Sequence, residues 1–182
     1  MQKIIEINLE ETIKKEDIEN CHFFKINFSF FDLSDKSFSN CKFEKCNFSN
    51  TNLENSTLDK VDFINSKIMW VKFSELNEYI SEMNFLECNL SMCCFYWMKI
   101  RNTNFMDSEV IDCNFTRTNL SDSNLSNSNF DKTIFSETNL KNVDFRWSNN
   151  FAIDPNINKI EKTKFSPETV GLLLRNLDII ID

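Results

Sequence analysis

The reactive side chains of this 182-residue chain are few in kind: seven cysteines, one histidine (His22) and a surplus of carboxylates, against a single glycine, Gly171. Cys41 and Cys46, or Cys93 and Cys94, are close enough in sequence to suggest metal ligands or a disulfide. One histidine offers neither a His-based triad nor a His-rich zinc site. A phosphate-cradling loop and a nucleophile elbow both need several positions without a Cβ, which one glycine does not provide. No nucleophile, base and orienting group fall at a recognisable spacing. The chain therefore reads as a non-enzyme with no catalytic residue, no metal and no cofactor.

The carboxylates are more informative. Net charge is −8 and the pI about 4.8, which opposes direct nucleic-acid binding and favours a basic partner. Residues 74 to 131 hold nine acids against three bases. Glu75, Glu78, Glu82, Glu87, Asp107, Glu109, Asp112 and Asp122 are the candidates for a partner-binding acidic face. Trp70, Met92, Tyr96 and Trp97 form a second candidate, an outward aromatic interface. No apolar run reaches the roughly 20 residues that span a bilayer, and the first residues lack the apolar core of a secretion signal. A cytoplasmic protein without membrane contact is expected.

Whatever positions these groups has neither a helical nor a strand period. The period is five. Phe23, Phe28, Leu33, Phe38, Phe43, Phe48, Leu53, Leu58, Phe63, Ile68 and Phe73 fall in one register. Ile80, Phe85, Leu90, Phe95, Ile100, Phe105, Val110, Phe115, Leu120, Leu125, Phe130, Phe135, Leu140 and Phe145 fall in a second. Ile13 and Ile18 extend the first. Two positions before the central residue stands mostly a small one, such as Cys46, Ser56 or Thr118, and one before it Asn or Asp dominates, as in Asn47 or Asp62. In extended chain the small and central residues face inward and the Asn outward. The small inward slot accounts for six cysteines (Cys21, Cys41, Cys46, Cys88, Cys93, Cys113) as packing groups, expected to remain free thiols. Cys94 is outward and the most reactive by position. His22 takes an outward slot, and columns such as Asn84, Asn104, Asn124 are expected to form side-chain ladders. Corners occupied by Asn, Ser, Lys and Asp, with no glycine, favour turns that seldom need a left-handed residue.

Units this short cannot bury an apolar face alone, so they must wind and stack. Segments such as CNFSN (Cys46 to Asn50), TNLSD (Thr118 to Asp122) and TNLKN (Thr138 to Asn142) resemble the pentapeptide repeat family, over about residues 13 to 147. The resemblance implies an all-β solenoid, a right-handed quadrilateral β-helix with four repeats per coil. Residues 20 apart then stack, as in Phe23, Phe43, Phe63 and in Phe95, Phe115, Phe135, and six coils make a rod roughly 30 Å tall at about 4.8 Å per strand. The registers part at 74–79, where a short bulge either bends the rod or carries binding groups.

Both ends need covers. Residues 1–12 supply an N-terminal cap. Residues 148–182 supply a loop, a short C-terminal α-helix with Ser166 and Pro167 at its start, and a tail. Val170, Leu173, Leu174 and Leu177, with Ile180 beyond, are the candidate cap and homodimer contacts. IENCHFFKINFSFFDL (Ile18 to Leu33), VDFRW (Val143 to Trp147) and LLLRNLDIII (Leu172 to Ile181) resemble the Qnr-type subgroup of the family, associated with quinolone resistance. That implies a DNA-mimicking homodimer that binds DNA gyrase and topoisomerase IV. The chain departs from the subgroup in running its repeats unbroken from Phe38 through Phe48, where many members carry a projecting loop. The competing reading is a structural or adaptor solenoid with an unrelated protein partner, engaged through Trp70 and Trp97.

Overall fold

The computed structural model describes residues 2–4, 6–77 and 82–175. Their architecture is a parallel β-solenoid of about seven turns. Its four faces are named here for their first central residues: Ile18, Phe23, Phe28 and Leu33. Strands Gln2–Ile4, Cys21–Phe24, Lys42–Glu44, Val61–Ile64 and Met83–Leu86 line up in parallel order on the Phe23 face. On the Ile18 face Asp17–Glu19, Ser37–Ser39 and Thr57–Asp59 do the same.

Stacking of the central residues builds the core. The rings of Phe23, Phe43, Phe63, Phe85 and Phe105 lie over one another at centroid separations of 4.8, 5.2, 5.1 and 4.9 Å, within 16° of parallel. On the Leu33 face Phe73, Phe95, Phe115 and Phe135 stack at 4.8, 4.6 and 5.4 Å. Edge-to-face contacts between the columns, such as Phe85 to Phe95 at 5.8 Å, fill the interior. Offset-stacked and T-shaped geometry are the two favourable arrangements of aromatic quadrupoles.

The small inward residues serve as more than filler. Their hydroxyls tie one coil to the next: Ser128 Oγ donates to the Phe105 carbonyl at 2.7 Å and accepts from the Ser108 N–H at 3.0 Å. Thr118 to Phe95, Thr133 to Val110 and Ser56 to Leu33 repeat the donation at 2.6 Å. The corners would otherwise leave these buried backbone groups unpaired.

Several features differ from the sequence-based expectation. The corners use left-handed backbone almost throughout, with φ between 50° and 64° at residues such as Lys25, Asn50, Trp97, Arg117 and Trp147. A bond such as Phe31 N–H to Phe28 C=O closes a four-residue turn with the left-handed residue third, the type II arrangement. Composition concealed this because Asn and Asp tolerate that conformation while Lys and Trp endure it. Asn84 is a ladder rung, its Nδ2 donating to Asp62 Oδ1 at 2.9 Å and its Oδ1 accepting from the Asn104 N–H at 3.0 Å, but most outward Asn side chains are not. Oδ1 of Asn47, Asn104, Asn114 and Asn124 accepts the N–H two residues ahead at 2.9 to 3.1 Å, an Asx turn that serves the corner.

The first register continues through Asn77, whose N–H reaches the Ser56 carbonyl, and Phe73–Glu75 is a 3₁₀ turn. Across the following step partners lie 22 apart, as in Phe63 with Phe85 and Ile68 with Leu90, and beyond it 20 apart again, as in Leu90 with Val110. The register therefore changes between Asn77 and Glu82, and Glu78, Tyr79, Ile80 and Ser81 lie outside the described residues.

At the N-terminus the cap is a strand plus a helix, Glu6–Ile13, whose Leu9 joins the core. Ile13 is the last helical residue, so the coil starts after it. Past residue 147 the coil persists: Asn139 bridges Lys159, Asp144 bridges Lys164, and Phe165 stacks on Phe145 at 5.6 Å. The C-terminal helix is a 3₁₀ segment, Val170–Leu174, with no side-chain cap. Ser166 Oγ instead accepts from the Trp147 N–H, the coil-tying role of the other inward hydroxyls.

Candidate partner-binding surface

No group of three or more His, Cys, Asp or Glu suited to a metal occurs among the described residues. All seven cysteines are free, six of them buried and Cys94 half-buried. Burial pushes the Cys41 and Cys46 thiols up to about 11 and Cys88 to about 12, so they pack and do not react. Cys94 accepts a hydrogen bond from Ser74 Oγ at 3.4 Å. His22 Nε2 lies 3.0 Å from Glu44 Oε2, and Lys42 Nζ lies 2.8 Å from the same oxygen.

The acidic candidates do not share one face. Glu87 and Asp107 stand one coil apart on the corner between the Phe23 and Phe28 faces. Glu109 opens the strand Glu109–Ile111 of the Phe28 face, and Asp112 turns its far corner. Asp131, which the linear reading did not single out, lies one coil beyond, bonding the Asp112 N–H through its carbonyl. None of these five forms an ion pair among the described residues. The Phe28 face and its two corners therefore carry five carboxylates without an ion-pair partner, and one cation, Lys132, one coil beyond Asp112, over two coil steps, about 10 Å of rise, where duplex DNA carries about six charges.

The remaining candidates are elsewhere. Asp122 is at the corner between the Ile18 and Phe23 faces, where Arg101 at 2.8 Å and then Asn142 at 2.7 Å hold its carboxyl below its ordinary range. Glu75 belongs to the Leu33 face and pairs with Lys72 at 2.9 Å. Glu82 is exposed beside the register change, and Glu78 is outside the described residues. Linear charge density could not separate these groups, because neighbours on the surface are about 20 residues apart in sequence.

The aromatic candidates do converge. Trp70 and Met92 stack on the corner between the Phe28 and Leu33 faces, through the Trp70 N–H to Ser91 C=O bond. Tyr96 and Trp97 lie on the Leu33 face and its other corner, their rings 5.8 Å apart and 9° from parallel. All four are exposed. Phe30, 78% exposed below Trp70 on the same corner, and Ile134 on the same face extend the stripe and escaped the sequence reading. At the C-terminal end Leu172 and Leu173 pack against the core while Val170 and Leu174 are exposed. Leu177 and Ile180 lie outside the described residues.

No curated protein sequence matches the chain. Among solved structures, a trypsin-treated variant of QnrB1, described as a plasmid-mediated fluoroquinolone resistance protein, is 20% identical with a TM-score of 0.67, covering 91% of this chain and 90% of its own. Full-length QnrB1 is 18% identical with a TM-score of 0.38, covering 98% and 95%. HetL, a pentapeptide repeat protein involved in heterocyst differentiation regulation in a Nostoc cyanobacterium, is 12% identical with a TM-score of 0.33, covering 90% and 95%. The likeness of the first is one of fold. The family model for pentapeptide repeats matches residues 21–58, 37–74 and 112–149, just over half of the sequence. With its five-residue period wound into a four-sided parallel coil, the chain belongs to the pentapeptide repeat family.

Proposed function

We propose that this protein is a DNA mimic that binds type II topoisomerase, DNA gyrase or topoisomerase IV, and modulates or protects it, lowering quinolone susceptibility. The observation that carries the reading is the Phe28 face with its two corners, whose five carboxylates without an ion-pair partner stand at a density close to that of duplex DNA. A basic DNA-binding saddle would meet complementary potential there, which speeds association and makes it salt-sensitive. The fold shared with a protein described as a plasmid-mediated fluoroquinolone resistance protein is in keeping with the quinolone part of this reading. We read the protein as a cytoplasmic binding protein, not an enzyme, and as a homodimer through its C-terminal end, where Val170 and Leu174 are exposed. The second reading is an adaptor solenoid that engages an unrelated protein, favoured by the exposed aromatics of the Leu33 face.

Gyrase supercoiling with and without a fluoroquinolone, together with pull-down across a salt series, tests the first reading. Binding that weakens with salt and is lost in the Asp107→Asn, Glu109→Gln, Asp112→Asn triple variant is expected. Absence of any change in activity, drug response or pull-down would sink it.

A further inference from the structure

The acidic and aromatic faces meet along one corner, where Trp70, Met92 and Asp112 follow one another coil by coil. Across the Leu33 face, at its other corner, is a cleft of about 300 Å³ lined among others by Phe73, Leu76, Tyr96, Trp97, Met98 and Lys99. We propose that the two faces form one composite docking surface, whose occupant is a protein segment that presents a large apolar side chain next to arginines or lysines. The proposal rests on reading the Phe28 face as a binding surface and names what else its partner must carry.

Three observations support this occupant. First, Trp97 sits at φ 64° and is 63% exposed. The coil gains little from an exposed indole in a conformation that costs a bulky residue, and Asn55, two coils below on the same corner, shows the cheaper choice. Second, the platform is held in place before any partner arrives. Arg117 lies 5.7 Å from the Trp97 ring, is within 3.5 Å of the Tyr96 hydroxyl, and bonds both Glu137 oxygens at 2.9 and 3.2 Å. Rigid aromatics rimmed by an ion pair have the anatomy of binding hot spots. Third, the five carboxylates around the corner, none of them in an ion pair among the described residues, select cationic neighbours for that apolar group and repel nucleic acid.

The test uses the full chain and two synthetic 12-residue peptides. One alternates arginine with leucine and phenylalanine; in the other, serine replaces each apolar residue. Tryptophan fluorescence titrations at 50 and 200 mM salt are expected to show the apolar peptide binding at least about tenfold tighter. Trp97→Asn should remove that preference while unfolding no more than about 2 °C below the wild type. Tyr96→Ser, a residue found at the same slot as Ser34 and Ser136, provides a second variant. Glu109→Gln with Asp112→Asn should weaken both peptides and flatten the salt dependence. Equal affinity for the two peptides, or a preference that survives both aromatic variants, would overturn the proposal. A wild type that prefers the apolar peptide but ignores purified gyrase would count against topoisomerase as the partner and still support the composite surface.

Discussion

Ser128 offers a direct measure of what the inward hydroxyls contribute. Its Oγ donates its one proton to the Phe105 carbonyl at 2.7 Å, with the Ser126 carbonyl 3.1 Å away, and accepts from the Ser108 N–H at 3.0 Å. The residue is 1% exposed, so water has no easy route to replace it. Ser128→Ala leaves a buried donor on one coil and a buried acceptor beside it unpaired, each costing about 1–3 kcal/mol, whereas a lost apolar contact is negligible because Ala fills the slot. Relaxation between coils recovers part, so a net loss of about 2–3 kcal/mol is expected. For a domain of this length that lowers Tm by roughly 4–12 °C. Ser128→Cys should fall between, since a thiol is a weak donor: Cys88 Sγ already lies 3.3 Å from the Phe63 carbonyl in the equivalent role. Urea and thermal unfolding followed by circular dichroism provide the assay. A loss below about 0.5 kcal/mol for the alanine variant would refute the idea that these hydroxyls complete the backbone hydrogen bonding of the corners.

Other expectations follow from the same coordinates. Phe95→Ala removes a ring stacked between Phe73 and Phe115 and should cost about 3–5 kcal/mol in urea melts, while Phe95→Leu, a residue found at other central positions, should cost well under half of that. The thiols of Cys41, Cys46 and Cys88 have folded pKa values of about 11, 11 and 12, raised by burial above the ordinary 9.0. Their protonated form is the one the fold retains, so their contribution is intact below pH 9 and is lost as pH rises toward 11–12. Unfolding midpoints at pH 7.5 and 10 should therefore diverge, and replacing the three by serine should narrow the gap; an unchanged gap would contradict the assignment.

The period of five, the inward identity of the central and small residues, and hence the Phe columns follow from the order of residues alone. The reason is that these are set by repetition at short range: a residue in extended chain faces the side its neighbour two away faces, and the pattern recurs too often to be misread. Six cysteines explained as packing groups, with Cys94 outward, came from the same register. Other features depended on structure because they are properties of coils stacked on coils. Whether Lys25 or Trp97 adopts positive φ depends on the closure of a corner against the next coil, and no side-chain type in the sequence marks it. The same holds for the position of the two extra residues, visible only once partners change from 20 to 22 apart, and for the continuation of the coil to Phe165. The acidic surface shows the division most clearly. Asp122 and Glu75 count equally with Glu109 along the chain, yet folding neutralises the first two against Arg101 and Lys72 and leaves Glu109 with Glu87, Asp107, Asp112 and Asp131. A four-sided coil distributes each twenty residues over four directions, so which charges act together is decided by the winding and not by the order of the residues.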